Sequence, residues 1–106
     1  SDRPGDVPLS GGYAKYPFVL SGHEEAVVCL SVPAFSQVAV SGSDDATVRV
    51  WSLVAGGSCL RVLLDHQGPV SSLAVREGLV PQVVTGSFDG RVRVFEMLSG
   101  RCQYVV

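Results

Sequence analysis

The stretch SGSDDATVRVW (41–51) returns as TGSFDGRVRVF (85–95), so a chain of 106 residues carries one phrase twice. The repeat reaches well beyond that phrase. His23 and His66, Val27 and Val70, Leu30 and Leu73, and Val32 and Val75 are each 43 positions apart. One residue enters the second copy, and Gly42, Asp45, Val48, Val50, Trp51 and Gly56 then match Gly86, Asp89, Val92, Val94, Phe95 and Gly100 at 44. One residue is lost again, and Cys59 matches Cys102 at 43. The chain is therefore two copies of a unit of about 43 residues. A repeat of that length is one supersecondary unit, which cannot bury its apolar face alone and must stack on a neighbour.

Each unit is written in short apolar runs with turn signals between them. The runs are KYPFVL (15–20), VVCLSV (27–32), QVAV (37–40), TVRVW (47–51), CLRVLL (59–64), VSSLAV (70–75), QVVT (82–85), RVRVF (91–95) and CQYVV (102–106). Strand-sized runs at roughly 8–12-residue spacing, rich in valine and punctuated by glycine, predict an all-β meander. Alternation is clear in Val48-Arg49-Val50-Trp51 and Val92-Arg93-Val94-Phe95. It points the arginines away from the valines, and both are read as solvated strand faces rather than an anion site. Ser41 and Thr85 are expected to end a strand, with Gly-Ser entering a bend that Asp45 and Asp89 close. Residues 1–12, SDRPGDVPLSGG, have no apolar period and read as a linker or a disordered terminus.

Composition narrows the function. Hydrophobic residues make up 46% and charged residues 17%, a globular balance. A net charge of −2 offers no electrostatic basis for binding nucleic acid. No apolar run approaches the roughly 20 residues of a membrane span. Cys29, Cys59 and Cys102 fit neither a disulfide framework nor a zinc site. They read as small buried packing residues in a reducing, intracellular setting, cytoplasmic with the nucleus left open. No nucleophile elbow or phosphate-binding glycine loop is present, and no catalytic, cofactor or metal residue is expected. His, Ser and Asp do recur together, but they occur twice in equivalent positions, whereas a catalytic site is usually one of a kind.

The unit resembles the blade of a WD-repeat β-propeller. The resemblance rests on Gly22-His23 with Val27, Leu30 and Val32, then Val40-Ser41-Gly42-Ser43 with Asp45, then Thr47-Val48-Arg49-Val50-Trp51, then Gly56-Gly57-Ser58-Cys59-Leu60. The second copy matches with His66, Val70, Leu73, Val75, Thr85-Gly86-Ser87, Asp89, Val92-Arg93-Val94-Phe95 and Ser99-Gly100-Arg101-Cys102. It departs at Asp65, where the first copy has Gly22, and at Phe95-Glu96, where the first has Trp51-Ser52. The resemblance implies an all-β fold of two four-stranded antiparallel blades. Residues 15–20 would form the outer strand of a preceding blade, 21–64 the first repeat and 65–106 the second. Propellers close with about four to eight blades, so residues 13–106 read as part of a larger one.

The resemblance also assigns residues. His23, Ser41, Asp45 and Trp51 are expected to form a hydrogen-bonded chain that fixes the first blade. His66, Thr85 and Asp89 are expected to form a shorter chain in the second, because Phe95 has no N–H. On that basis Phe95→Trp is expected to be neutral or mildly stabilising. The implied role is a non-catalytic protein-interaction scaffold. Its alternatives are a short unit whose copies associate to complete a propeller, and a propeller-based enzyme. Partners are expected to be proteins or peptides, further blades of the same propeller, or copies of the chain. The loops beside the histidines carry the candidate binding residues Glu24, Glu25 and Asp44 in the first repeat and Gln67, Phe88 and Arg91 in the second. Phe88 is either a partner anchor or a local packing residue.

Overall fold

The computed structural model describes residues 19–54 and 56–106. Among them are eight strands: β1 (Val27–Ser31), β2 (Val38–Ser43), β3 (Val48–Ser52), β4 (Cys59–Leu63), β5 (Val70–Arg76), β6 (Gln82–Ser87), β7 (Val92–Glu96) and β8 (Cys102–Val105). They form two antiparallel four-stranded meanders, β1-β2-β3-β4 and β5-β6-β7-β8. The expected outer strand at 15–20 lies mostly outside the described residues, and Val19 and Leu20 are not in a strand. No helix occurs among the described residues, so none is long and apolar enough to cross a membrane.

The repeat in sequence is a repeat in irregularities too. Pairing slips between Val27 and Cys29 in the first sheet and between Val70 and Ser72 in the second. It slips again between Val50 and Trp51, and between Val94 and Phe95. Such bulges raise local twist, so both sheets are twisted at matching points.

The valines of the first sheet meet the second sheet. Val38, Val40, Val48, Val50 and Leu63 form one cluster with Val70, Val83, Phe95 and Met97. Each such side chain, fully buried, contributes about 1.5–3 kcal/mol. Two polar ties cross the same junction. The Glu77 carboxylate, just after β5, accepts hydrogen bonds from the N–H groups of Ala34 (3.2 Å) and Phe35 (3.0 Å) and from the Ser36 hydroxyl (2.9 Å). At the outer edge Arg61 Nε donates to the Leu98 carbonyl at 2.7 Å.

The glycine of the repeated phrase does a different job from the one expected. β2 and β6 run on through Ser43 and Ser87, so Gly42 and Gly86 lie inside strands. The turns come later. Ala46 N–H bonds the Ser43 carbonyl at 3.2 Å, and Gly90 N–H bonds the Ser87 carbonyl at 3.1 Å. Ala46 (φ 71°) and Gly90 (φ 86°) supply the left-handed residue that such a hairpin needs. Gly42 instead allows close approach: a β-carbon there would stand 2.5 Å from Cys29 Sγ and 2.7 Å from Val70 Cγ1.

Gly42→Ala should therefore push the second sheet off the first, destabilising by about 1–3 kcal/mol. Gly86→Ala meets only the movable Ser72 hydroxyl at under 3.4 Å. Its shift in denaturant midpoint should be the smaller of the two, and equal shifts would remove the close-approach argument.

Candidate functional site

In each sheet an aspartate at the hairpin tip ties that tip to the segment entering the first strand. Asp45 accepts from the backbone N–H groups of Glu24 (3.0 Å) and Thr47 (2.9 Å). Asp89 accepts from those of Gln67 and Arg91, both at 2.9 Å. The turn tips are also held by matching backbone bonds, Asp44 N–H to the Ala26 carbonyl and Phe88 N–H to the Pro69 carbonyl, each 2.9 Å. The two repeats thus present the same rigid loop end with different side chains.

Beneath that end the two polar clusters differ. In the first sheet His23 Nδ1 lies 3.0 Å from Asp45 Oδ2, His23 Nε2 lies 2.7 Å from Ser41 Oγ, and Trp51 Nε1–H donates to Ser41 Oγ at 2.8 Å. The Thr47 hydroxyl joins them, 3.1 Å from His23 Nδ1 and also bonded to Asp45. An ionised carboxylate only accepts, so His23 Nδ1 carries a proton. Ser41, which accepts from the indole, donates its own proton to Nε2.

In the second sheet an arginine has entered. Arg93 Nη1 lies 2.6 Å from His66 Nδ1 and 2.8 Å from Asp89 Oδ2, and Arg93 Nε lies 3.1 Å from Asp65 Oδ2. The reading of Arg93 as a solvated strand face is corrected: it is only 5% exposed. The cluster is not shortened by Phe95 but extended to Asp65. A guanidinium can only donate, so His66 Nδ1 is bare and Nε2–H points at Thr85 Oγ1. The two histidines hold opposite tautomers, and the hydrogen-bond direction through each cluster is reversed. Asp65 for Gly22, Arg91 for Thr47 and Phe95 for Trp51 are the sequence changes that accompany the exchange. Asp65 opens a second carboxylate, the Thr47 hydroxyl is gone, and Thr85 has no indole to serve.

The reading of the cysteines as buried is also corrected. Cys59 is exposed and Cys29 and Cys102 are half-buried; all three are free thiols. Arg49 is half-buried, with its Cζ 5.9 Å from the Trp51 ring centroid. Among the candidate binding residues Glu24, Glu25, Gln67, Phe88 and Arg91 are exposed and Asp44 is half-buried. Among the described residues no group of three His, Cys, Asp or Glu side chains could hold a metal ion.

A valine-rich four-stranded meander stacked face to face on a second, with a His–Asp cluster at the matching end of each, defines a pair of propeller blades. The family described as WD domain, G-beta repeat matches residues 14–52 and 57–96, and the chain belongs to it. Cell division control protein 4 of Candida albicans is 35% identical over 88 residues, 83% of this chain and 12% of that protein. Coronin-7 of Homo sapiens is 43% identical over 84 residues, 77% of this chain and 9% of that protein. A guanine nucleotide-binding protein subunit beta of Oryza sativa subsp. indica is 37% identical over 82 residues, 76% of this chain and 21% of that protein. The chain thus spans about a fifth or less of the length of these relatives. The crystal structure of the computationally designed Ika4 protein superposes with a TM-score of 0.69 at 32% identity, covering 80% of this chain and 49% of that one.

Two predictions come from the clusters. Trp51→Phe removes the indole donor to the buried Ser41 hydroxyl, which keeps its bond to His23, and should cost about 0.5–1.5 kcal/mol. Phe95→Trp is now expected to destabilise as well, since Phe95 is 1% exposed in the inter-sheet cluster and His66 already serves Thr85. Denaturant midpoints decide both, and a neutral Phe95→Trp would restore the sequence-based expectation.

The second prediction concerns pH. Burial and the adjacent Arg93 hold His66 below the ordinary imidazole value. Its neutral form is the folded one, so stability is full above about pH 6.5 and declines as pH falls below that. At Asp45 burial favours the neutral acid, but bonds from Thr47, Glu24 and His23 outweigh it and hold the carboxyl well below the usual range. The Gln67 N–H, with help from Arg93 and Arg91, does the same for Asp89. Their stabilisation is present above about pH 4 and is lost below it, giving a second decline. Melting temperature against pH should show both steps, and His66→Gln should abolish the upper one while leaving the lower.

Proposed function

We propose that the chain supplies two adjacent blades of a larger WD-repeat propeller, a non-catalytic platform that binds protein partners through the loop end above His23 and His66. The observation carrying this reading is Phe88, 75% exposed at the tip of a turn whose backbone is fixed on both sides. A bulky apolar side chain held rigid in solvent suits an interface anchor better than local packing. Glu24, Glu25 and Asp44 give the neighbouring repeat an acidic rim that suits a basic partner. The outer face of the second sheet supports the larger assembly. Val84, Val92 and Val94 there stand in register where Val40, Val48 and Val50 stand in the first sheet, and the second sheet buries those three. A third sheet covers the outer face in this reading, supplied by the same protein or by another copy of it. The free thiols fit a reducing, intracellular setting.

A second reading places the partner at the opposite end. Phe35 and Leu79 are 89% and 101% exposed there, on the two loops that Glu77 ties together. Binding kinetics of the full-length protein with a partner recovered by pull-down separate the two. Phe88→Ala should speed dissociation, weakening binding by about 2 kcal/mol or roughly thirtyfold. Charge reversal of Glu24, Glu25 and Asp44 should slow association and change stability by less than about 0.5 kcal/mol. If those variants bind normally while Phe35→Ala or Leu79→Ala abolishes binding without unfolding the protein, the opposite end is the interface.

A further inference from the structure

The two sheets hold an arginine at the same point and give it unlike surroundings. Arg49 pairs in register with Ser41, and Arg93 with Thr85. Arg93 binds Asp65 and Asp89, both within its own repeat. Neither counterpart serves Arg49. The position of Asp65 is Gly22, and Asp45 is occupied by Glu24, Thr47 and His23. Arg49 lies beside the Trp51 ring with Nη1 3.6 Å from Cys59 Sγ, and its buried Nε has no acceptor.

A guanidinium is a planar fork whose N–H donors match the two oxygens of a carboxylate. A thiol sulfur is a weak substitute, and since the buried Nε is closed to anything outside, an incoming carboxylate meets the Nη groups. The missing side chain at residue 22 matters as well: a β-carbon there would stand 2.8 Å from Arg49 Nη1 and 3.2 Å from Trp51 Cη2. Gly22 therefore lies close against the guanidinium and the indole, at an exposed point of the chain, and offers no side-chain acceptor. Arg49 and Trp51 also lie on the face of β3 opposite Val48 and Val50, away from the second sheet.

We propose that Arg49 is a carboxylate-binding site, taking an Asp or Glu side chain from outside residues 19–106. The first blade's guanidinium is then completed from elsewhere, as the second blade's is completed by Asp65. The donor is either another part of the longer protein or a separate polypeptide, and the ligand chemistry is the same. This site is independent of the loop-end reading, because it sits on a sheet face and uses none of those residues.

The test uses the full-length protein with whatever co-purifies, and carboxylate footprinting: carbodiimide-driven labelling of Asp and Glu with glycine ethyl ester. Arg49→Gln removes the charge but keeps a polar stem. It should raise labelling several-fold at one carboxylate outside residues 19–106. Arg49→Lys places an amine at the site, and carbodiimide alone should then join that amine to the same carboxylate, well above an Arg61→Lys control. A joined peptide from the same chain assigns the donor to another part of the protein, and one from a second polypeptide assigns it to a partner. A footprint unchanged by Arg49→Gln overturns the proposal whatever the linking shows, and so does a link confined to Asp44 or Asp45.

Discussion

A four-stranded sheet of valines has two faces and can cover neither by itself. Everything else here depends on how the first sheet solves that problem on one side. Val70, Val83, Phe95 and Met97 of the second sheet lie against Val38, Val40, Val48, Val50 and Leu63 of the first. The contact is close because Gly42 has no side chain where Val70 arrives. It also excludes water from the polar cluster of the second sheet, since Arg93 and Thr85 share a face with Val83 and Phe95. A charged group removed from water must be fully paired, and Arg93 is.

The clusters show how one backbone accepts two chemistries. Both need an aspartate at the hairpin tip to receive backbone N–H groups, and both place a histidine ring about 6 Å from an aromatic ring, Trp51 or Phe95. What lies between is free to vary so long as donors meet acceptors. In the first sheet protons run from the indole through Ser41 to His23, and from His23 to Asp45. In the second they run from Arg93 to His66 and Asp89, and from His66 to Thr85. The reversal follows from one fact: arginine has no acceptor to offer.

Much of this was legible in the sequence, because periodicity reports directly on which face is buried. The strands, their order and the pairing of the repeats follow from valine alternation and the 43-residue offset. Four residues of the first cluster, His23, Ser41, Asp45 and Trp51, were nameable through the family resemblance, while the Thr47 hydroxyl that joins them was not. Three other things were not legible. Gly42 looked like a turn glycine, since close approach of a second sheet and a left-handed turn call for the same residue. Arg93 looked solvated, because alternation gives a side chain's face and not what covers it. Its partner Asp65 registered only as a mismatch with Gly22. Cys59 was misjudged for a related reason: β4 is an edge strand, and most of its residues are open to water.

Arg93 also joins the two sheets thermodynamically. If the first sheet unfolds, the second loses the cover over its valine cluster, and its guanidinium, imidazole and the Asp89 carboxylate become solvated together. An exposed ion pair contributes little, so the arrangement that orders β5, β7 and the 65–69 segment weakens at the same moment. The dependence is reciprocal, since a coupling free energy belongs to both sheets alike. The Trp51 cluster lies on the far face of the first sheet and shares no side chain with the second. Repeat arrays derive cooperativity from such nearest-neighbour terms, and here the polar groups that contribute to the shared term all lie on the second blade's side of the junction, with the first blade as a lid. The same asymmetry explains why the two arginines differ. Arg93 had to find its carboxylates within its own repeat, because the face over it is sealed by valines that offer no acceptor. Arg49 lies under no such valine seal among the described residues, and its repeat could dispense with an acid at position 22.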